Sequence, residues 1–177
     1  MISDARVDRY YYIYDSRERR ALVLDRATGE ERSPDADPRA QLIEHVRTER
    51  SPTLLRHFAR WCARQVGADV CSSHTATGRL WAAAQRDDRS IWRRVRRETA
   101  DTVMLAVALG LSRGRPDAAR LLVVHACTHP DAQHAALDAA HMSERWAEFS
   151  AESDPPAAAR AMQARHVDWL LDQLPAS

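Results

Sequence analysis

Hydrophobic side chains recur every three or four residues along most of the chain after residue 34. In one such stretch Leu55, Phe58, Cys62 and Val66 fall on the same side of a helix, because residues at this spacing share a helical face. The pattern predicts helices near residues 38–48, 52–66, 75–86, 90–112, 116–128, 130–150 and 155–173.

Proline marks three of the predicted helix starts. A polar residue followed by proline favours the first turn of a helix, where the N–H that proline lacks has no partner in any case. The pairs Ser51-Pro52, His129-Pro130 and Asp154-Pro155 therefore predict helices that begin at the proline of each pair.

Two predicted helices carry apolar residues on all sides. The second half of helix 90–112 reads TVMLAVALGL, and helix 116–128 contains the run LLVV. A helix that is apolar all round is expected to be buried. We therefore expect these two helices to form the centre of a bundle, as an antiparallel pair joined by a short loop.

The first 34 residues follow a different pattern. Tyr10–Tyr14 and Ala21–Leu24 are rich in residues that favour strands, and the charged segment DSRERR between them suits a hairpin loop. Two strands alone are marginal in water, so the hairpin is expected to pack on the helices or on a partner. The sequence predicts a mainly α protein, with residues 1–34 as a β-hairpin appendage and residues 35–177 as one compact bundle of about six or seven helices.

Composition and charge narrow the classes of function. The formal net charge is only +1, whereas proteins that chiefly bind nucleic acid carry a strong basic excess. All 26 basic residues are arginine. The N-terminus lacks the apolar core of a signal peptide, and the longest apolar run, Val103 to Leu109, is far shorter than the roughly 20 residues of a membrane span. We therefore expect a cytoplasmic protein without membrane contact.

Cysteine and histidine side chains offer the ligand types of a zinc site. The candidates are Cys62, Cys71, His74 and Cys127, but their cysteines are not paired as C-x-x-C. A cysteine in an apolar helix usually behaves as a small hydrophobic residue. We predict core positions and no cofactor, and metal binding by these four residues is the alternative.

Two arginine–histidine pairs resemble the motif of the HEPN ribonucleases, which are all-helical and carry an arginine, four to six residues, and then a histidine. The pairs are Arg120–His125 and Arg160–His166, although a leucine and an alanine stand where that family has a polar residue. Catalysis would require His125 as a base near water and phosphate, and its apolar neighbours predict burial instead. A helical ribonuclease with Arg120 and His125 as catalytic residues is the alternative function.

Histidines also line up on the predicted helix 130–150. His134 and His141 share one face with Asp138 and Arg145, opposite a stripe of alanines. A solvated polar face accounts for this pattern, so no site is predicted there.

Arginine and tyrosine side chains supply the candidate binding surfaces, since both residue types often anchor protein interfaces. The arginines around Trp92 also suit contact with phosphates, but nearby carboxylates dilute their charge and Trp92 is expected in the core. The candidate binding residues are Tyr10, Tyr12, Tyr14, Arg56, Arg60, Arg64, Arg93, Arg94 and Arg97.

The chain contains LLRHFARWCARQV at 54–66, AARLLVVHACTHPDAQHAALDAAHMSERWAEF at 118–149 and AMQARHVDWLLDQL at 161–174. These stretches resemble a loose group of helical bacterial proteins, some of which are described as immunity proteins. The chain departs from the group's pattern between Val70 and Arg97. The resemblance implies a helical bundle that binds another protein, such as a toxin, and it implies no catalytic residues.

The leading prediction is therefore a non-catalytic protein-binding bundle of the immunity type. The sequence contains no Gly-rich phosphate loop, G-x-S-x-G or H-E-x-x-H motif, which favours a role other than catalysis. Nucleic acid and a second copy of the chain are the alternative partners.

Overall fold

A computed structural model describes the backbone of residues 10–15, 20–25 and 31–32 and, in full, residues 52–173. The predicted helix 38–48 and the predicted boundary between residues 34 and 35 lie outside these residues. Residues 52–173 are mainly helical, which confirms the predicted fold class at this level. Their α-helices are α1 (Pro52–Gln65), α2 (Ala76–Ala84), α3 (Arg89–Glu98), α4 (Ala100–Leu105), α5 (Pro116–Cys127), α6 (Ala132–Ser150) and α7 (Pro155–Asp172).

Three short strands precede the helices. Strand β1 (Tyr10–Asp15) pairs antiparallel with β2 (Arg20–Asp25), which pairs antiparallel with β3 (Glu31–Arg32). The side chains of the strands and their packing lie outside the described part of the chain. The predicted contact between the hairpin and the helices therefore stays a prediction.

Polar side chains fix the helix starts by accepting hydrogen bonds from backbone N–H groups of the first turn. Asp154 caps α7 as expected, with Oδ1 accepting from Ala157 N at 3.0 Å. The predicted start at Pro130 is wrong, because Asp131 caps α6 by accepting from His134 N at 2.8 Å. Helix α6 consequently begins two residues later, at Ala132.

The core lies where α1, α5, α6 and α7 meet. Most of helix α5 is buried, and the run LLVV is buried as predicted. Small side chains on α6 allow its neighbours to approach closely. Trp92 is buried as expected, and its Nε1 donates to the carbonyl oxygens of Ala83 and Arg86 at 3.0 and 2.8 Å. The alanines of α6 in the core are Ala135, Ala136, Ala139 and Ala140.

The predicted helix 90–112 is interrupted, and its second half is not central. Helix α3 ends at Glu98, α4 follows, and a π-helical turn, Ala106–Leu111, continues α4. One side of this segment packs on the core, where Gly110 approaches Ala118 of α5. The other side faces solvent, so the prediction of burial on all sides is wrong. Apolar composition does not specify whether a second neighbour exists to cover a helix.

Within residues 52–173, none of the helices combines the length and the apolar character that a membrane crossing requires.

Candidate functional site

The four residues considered for metal binding are not assembled into a site. Cys62 and Cys127 are buried in the core, and burial raises the pKa of both thiols, that of Cys127 to about 12. Cys71 is half-buried and donates to the carbonyl oxygen of Gly67 at 3.5 Å, while His74 is exposed. The described residues contain no group of three or more ligands placed to hold a metal ion.

Arg120 and His125 engage different parts of the molecule. Arg120 Nε donates to the carbonyl oxygen of Val66 at 2.7 Å, and its Nη1 lies 3.0 Å from Asp117 Oδ1. Arg120 therefore binds the carboxyl end of α1. Burial, and next the charge of Arg96, lower the pKa of His125 to about 4, which makes it a weak base at neutral pH. Neither hydrogen bond of Arg120 involves His125.

His166, the second histidine of an arginine–histidine pair, belongs to a buried polar network between α6 and α7. Its Nε2 lies 3.0 Å from Ser143 Oγ, and its Nδ1 lies 3.4 Å from Glu144 Oε1. Gln163 Nε2 donates to Glu144 Oε2 at 3.0 Å. These residue types also form hydrolytic triads, but here all four side chains are buried and Ser143 Oγ donates to the carbonyl oxygen of Ala140 at 2.8 Å. The network is structural.

Sequence reasoning missed this network, although a signal for it was present. Ser143 lies four residues after Ala139, so it continues the buried alanine stripe of α6. A polar residue at such a position must find a partner inside the protein. The partner cannot be identified from the sequence, because it lies on another helix.

Three arginines of α1 were predicted to face a partner, namely Arg56, Arg60 and Arg64, which we call the arginine ladder. Arg56 does not face outward. Arg56 is only 8% exposed, donates to the carbonyl oxygens of His129 and Pro130, and lies 4.5 Å from the centre of the Trp92 ring. That prediction is wrong for Arg56, because α3 and the α5–α6 turn cover this face of α1. Arg60 is half-buried and its Nε donates to the carbonyl oxygen of Ala84 at 2.8 Å, whereas Arg64 is exposed.

The arginines of α3 divide into an exposed and an anchored set. Arg93, Arg94 and Arg97 are exposed, and Arg94 lies 4.0 Å from Glu98. Arg96, which sequence reasoning left out, donates to the carbonyl oxygen of His125 at 2.8 Å. It thereby ties α3 to the carboxyl end of α5. The exposed set remains a candidate surface, and the tyrosine side chains of β1 lie outside the described residues.

A cavity of about 760 Å³ opens between the start of α1, the α2–α3 turn and the α5–α6 turn. We call it the arginine groove, because Arg56, Arg60 and Arg89 line it together with the carboxylates of Asp87 and Asp131. It unites two predicted binding residues with Arg89, which nothing in the sequence distinguishes from the other surface arginines. Its apolar wall includes Pro52, Leu55, Trp92, Pro130 and Ala132.

Histidines meet beside this groove, at the α5–α6 turn. The rings of His129 and His134 stack with centroids 3.7 Å apart, and His134 Nε2 lies 2.6 Å from Asp138 Oδ2. The prediction of a solvated face is therefore wrong for His134, because its side chain is largely buried. Burial, and next the charge of His134, lower the pKa of His129 to about 4.

The outer side of α4 and the π-helical turn forms an exposed apolar surface. Met104, Leu105, Val107 and Leu109 retain between 45 and 71% of their accessible surface. With Ala108, which is also exposed, they form what we call the apolar face. π-helical turns inside helices are frequent at functional sites. The exposed Arg113 and Arg115 follow immediately in the chain.

No family model matches the chain, and the comparisons with curated proteins and with solved structures give no significant match.

Proposed function

We propose that the protein is a non-catalytic binding protein whose apolar face contacts another protein. The observation that carries this proposal is the exposure of four large hydrophobic side chains within six residues, 104–109. Neighbouring apolar side chains left in water are costly, and large patches of this kind usually mark interaction surfaces. Burying them against a partner removes that cost.

The surroundings of the apolar face indicate the chemistry of the partner. Arg113 and Arg115 follow the face along the chain and are exposed. A partner surface that is apolar at its centre and carries carboxylates at its edge complements this arrangement. The packing of Gly110 on α5 holds the face to the core, so little ordering is required on binding.

The immunity-type role rests on the resemblance of three stretches to helical bacterial immunity proteins. In this proposal the partner is a toxin in the bacterial cytoplasm, and the bundle neutralises it by covering a surface that the toxin needs. The burial of the Ser143–His166 network, the hydrogen bonds of Arg120 to Val66 and Asp117, and the lowered pKa of His125 support a role without catalysis. The exposed Arg93, Arg94 and Arg97 support nucleic acid as the alternative partner.

The proposal is tested with two variants that make the same chemical change at different exposed valines. Val107→Asp places a charge on the apolar face, and Val70→Asp places one on the turn after α1, where Val70 is 84% exposed. Native mass spectrometry of the protein isolated from its own host should show a second polypeptide in a fixed ratio. We expect Val107→Asp to weaken this complex about 100-fold, since desolvating an unpaired charge costs several kcal/mol.

Val70→Asp is the matched control and should keep the complex, and both variants should melt within about 2 °C of the parent, because both positions are exposed. A complex that survives Val107→Asp, a homodimer in place of a second polypeptide, or bound nucleic acid would each contradict the proposal.

A further inference from the structure

The arginine groove brings together three arginines and the carboxylates of Asp87 and Asp131, which offset part of its positive charge. Arg56, Arg60 and Arg89 all line the groove. Within the described part of the chain, none of the three has a carboxylate oxygen within the 4.0 Å that defines a salt bridge. Asp87 and Asp131 border the same groove without such a contact. An anion that enters the groove therefore meets guanidinium groups that are not already paired with carboxylates.

Arg56 shows most clearly that the groove suits an anion. Its side chain is buried, and the carbonyl oxygens of His129 and Pro130 take two of its N–H groups. A guanidinium has five N–H donors, so three have no acceptor among the described residues. The Trp92 ring, whose centre lies 4.5 Å away, and the charge of Asp87 stabilise this guanidinium in part. A bound anion adds the direct opposite charge that buried ions in proteins normally have.

The helices that enclose the groove add to its positive potential. The first residues of α1, α3 and α6 all line it, as Pro52, Arg89 and Ala132. The amino-terminal end of each helix carries a partial positive charge. The caps Asp88 and Asp131 offset part of that charge at α3 and α6. The remaining partial charge of these helix ends adds to the positive charge of the three arginines.

We propose that the arginine groove binds a small molecule that carries a phosphate monoester. A cavity of about 760 Å³ is within the range of small-molecule sites. The planar donor fork of arginine matches the oxygens of a phosphate, and three arginines suit a dianion better than a singly charged carboxylate. The apolar wall, where Pro52 and Pro130 are exposed, contacts the organic part of the ligand. This site lies apart from the apolar face.

Phenyl phosphate is the probe, titrated into the whole protein by isothermal calorimetry. Arg60→Gln and Arg89→Gln should each lower its association constant about tenfold, because each removes charge-assisted hydrogen bonds. Arg165→Gln is the matched control, since it removes the same charge from an exposed position of α7 outside the groove, and it should change the constant less than about twofold. Asp87→Asn removes a competing carboxylate and should strengthen binding several-fold.

Benzoate carries the same ring with a carboxylate and should bind about tenfold more weakly than phenyl phosphate, because it offers one negative charge and two oxygens. The proposal is overturned if phenyl phosphate shows no saturable binding, if benzoate binds equally tightly, or if Arg165→Gln weakens binding as much as Arg89→Gln. Val107→Asp should bind phenyl phosphate like the parent protein, so this test and that of the apolar face give separate answers.

Discussion

Glu144 accepts a hydrogen bond from Gln163 and faces the ring of His166 inside a largely apolar core. Replacing it by alanine leaves the Gln163 amide buried without this acceptor and removes the carboxylate that lies 3.4 Å from His166 Nδ1. We expect Glu144→Ala to lower the free energy of unfolding by about 3 kcal/mol, which is typical when one member of a buried polar pair is removed. Urea unfolding at neutral pH measures this change.

The matched control is Glu148→Ala, one turn further along α6. Glu148 lies 2.6 Å from Arg145 Nη1 in an ion pair that solvent still reaches. Such pairs contribute roughly 0–1 kcal/mol, so this variant should change stability by no more than that. Equal losses for the two variants would mean that the buried network adds nothing specific to the stability of the core.

At the scale of elements, Gly110 sets how closely the π-helical turn approaches α5. A Cβ atom at this position would lie 2.3 Å from the Cβ of Ala118. Gly110→Ala should therefore destabilise the protein by about 2 kcal/mol, as overpacking of a tight contact does, even though alanine favours helices. Thermal and urea unfolding measure the loss.

A double-mutant cycle shows whether the contact itself is responsible. Ala118→Gly removes the opposing methyl group, so the double variant should be at least about 1 kcal/mol more stable than the sum of the single changes predicts. Strict additivity would argue against a clash between the two positions. Such a result would indicate that Gly110→Ala destabilises the protein through the local backbone of the π-helical turn.

The helices could be predicted because their signals are local. The spacing of Leu55, Phe58 and Cys62 and the cap at Asp154 depend on neighbours in sequence, and α1 and α7 begin at the expected residues. The environment of each face could not be predicted, because it depends on which helices pack there. That is why the apolar second half of helix 90–112 was expected to be buried on all sides and has one side in solvent, and why Arg56 was expected to be exposed and is buried.

At the scale of the whole molecule, the residues of the arginine groove could not be selected together from the sequence. Arg56 and Arg60 were selected as a ladder, but the groove that contains them also needs Arg89, Asp87 and the α5–α6 turn. These residues come from separate parts of the chain and meet only through the packing of α1, α3 and α6. A motif of adjacent residues could not have revealed a site of this kind.

Stability of the whole fold should depend on pH through His125 and His129. The pKa of each is lowered to about 4 in the folded protein, chiefly by burial, against about 6.5 for an unperturbed histidine. Between these values the unfolded chain binds more protons than the folded one, so stability falls as the pH is lowered from about 6.5 to about 4. Lowering a pKa from about 6.5 to about 4 corresponds to roughly 3 kcal/mol. Solvent reaches both half-buried rings, so the expected loss for each histidine is on the order of 2 kcal/mol.

Urea unfolding across this pH range tests the assignment. His125→Asn should reduce the loss of unfolding free energy between about pH 6.5 and pH 4 by the contribution of one histidine, because the asparagine side chain does not titrate. His57→Asn is the control, since His57 is exposed at the rim of the arginine groove, and it should leave the dependence nearly as steep as in the parent protein. If both variants flatten the dependence equally, the loss of stability in acid reflects general charge repulsion rather than the histidines buried at the α5–α6 turn.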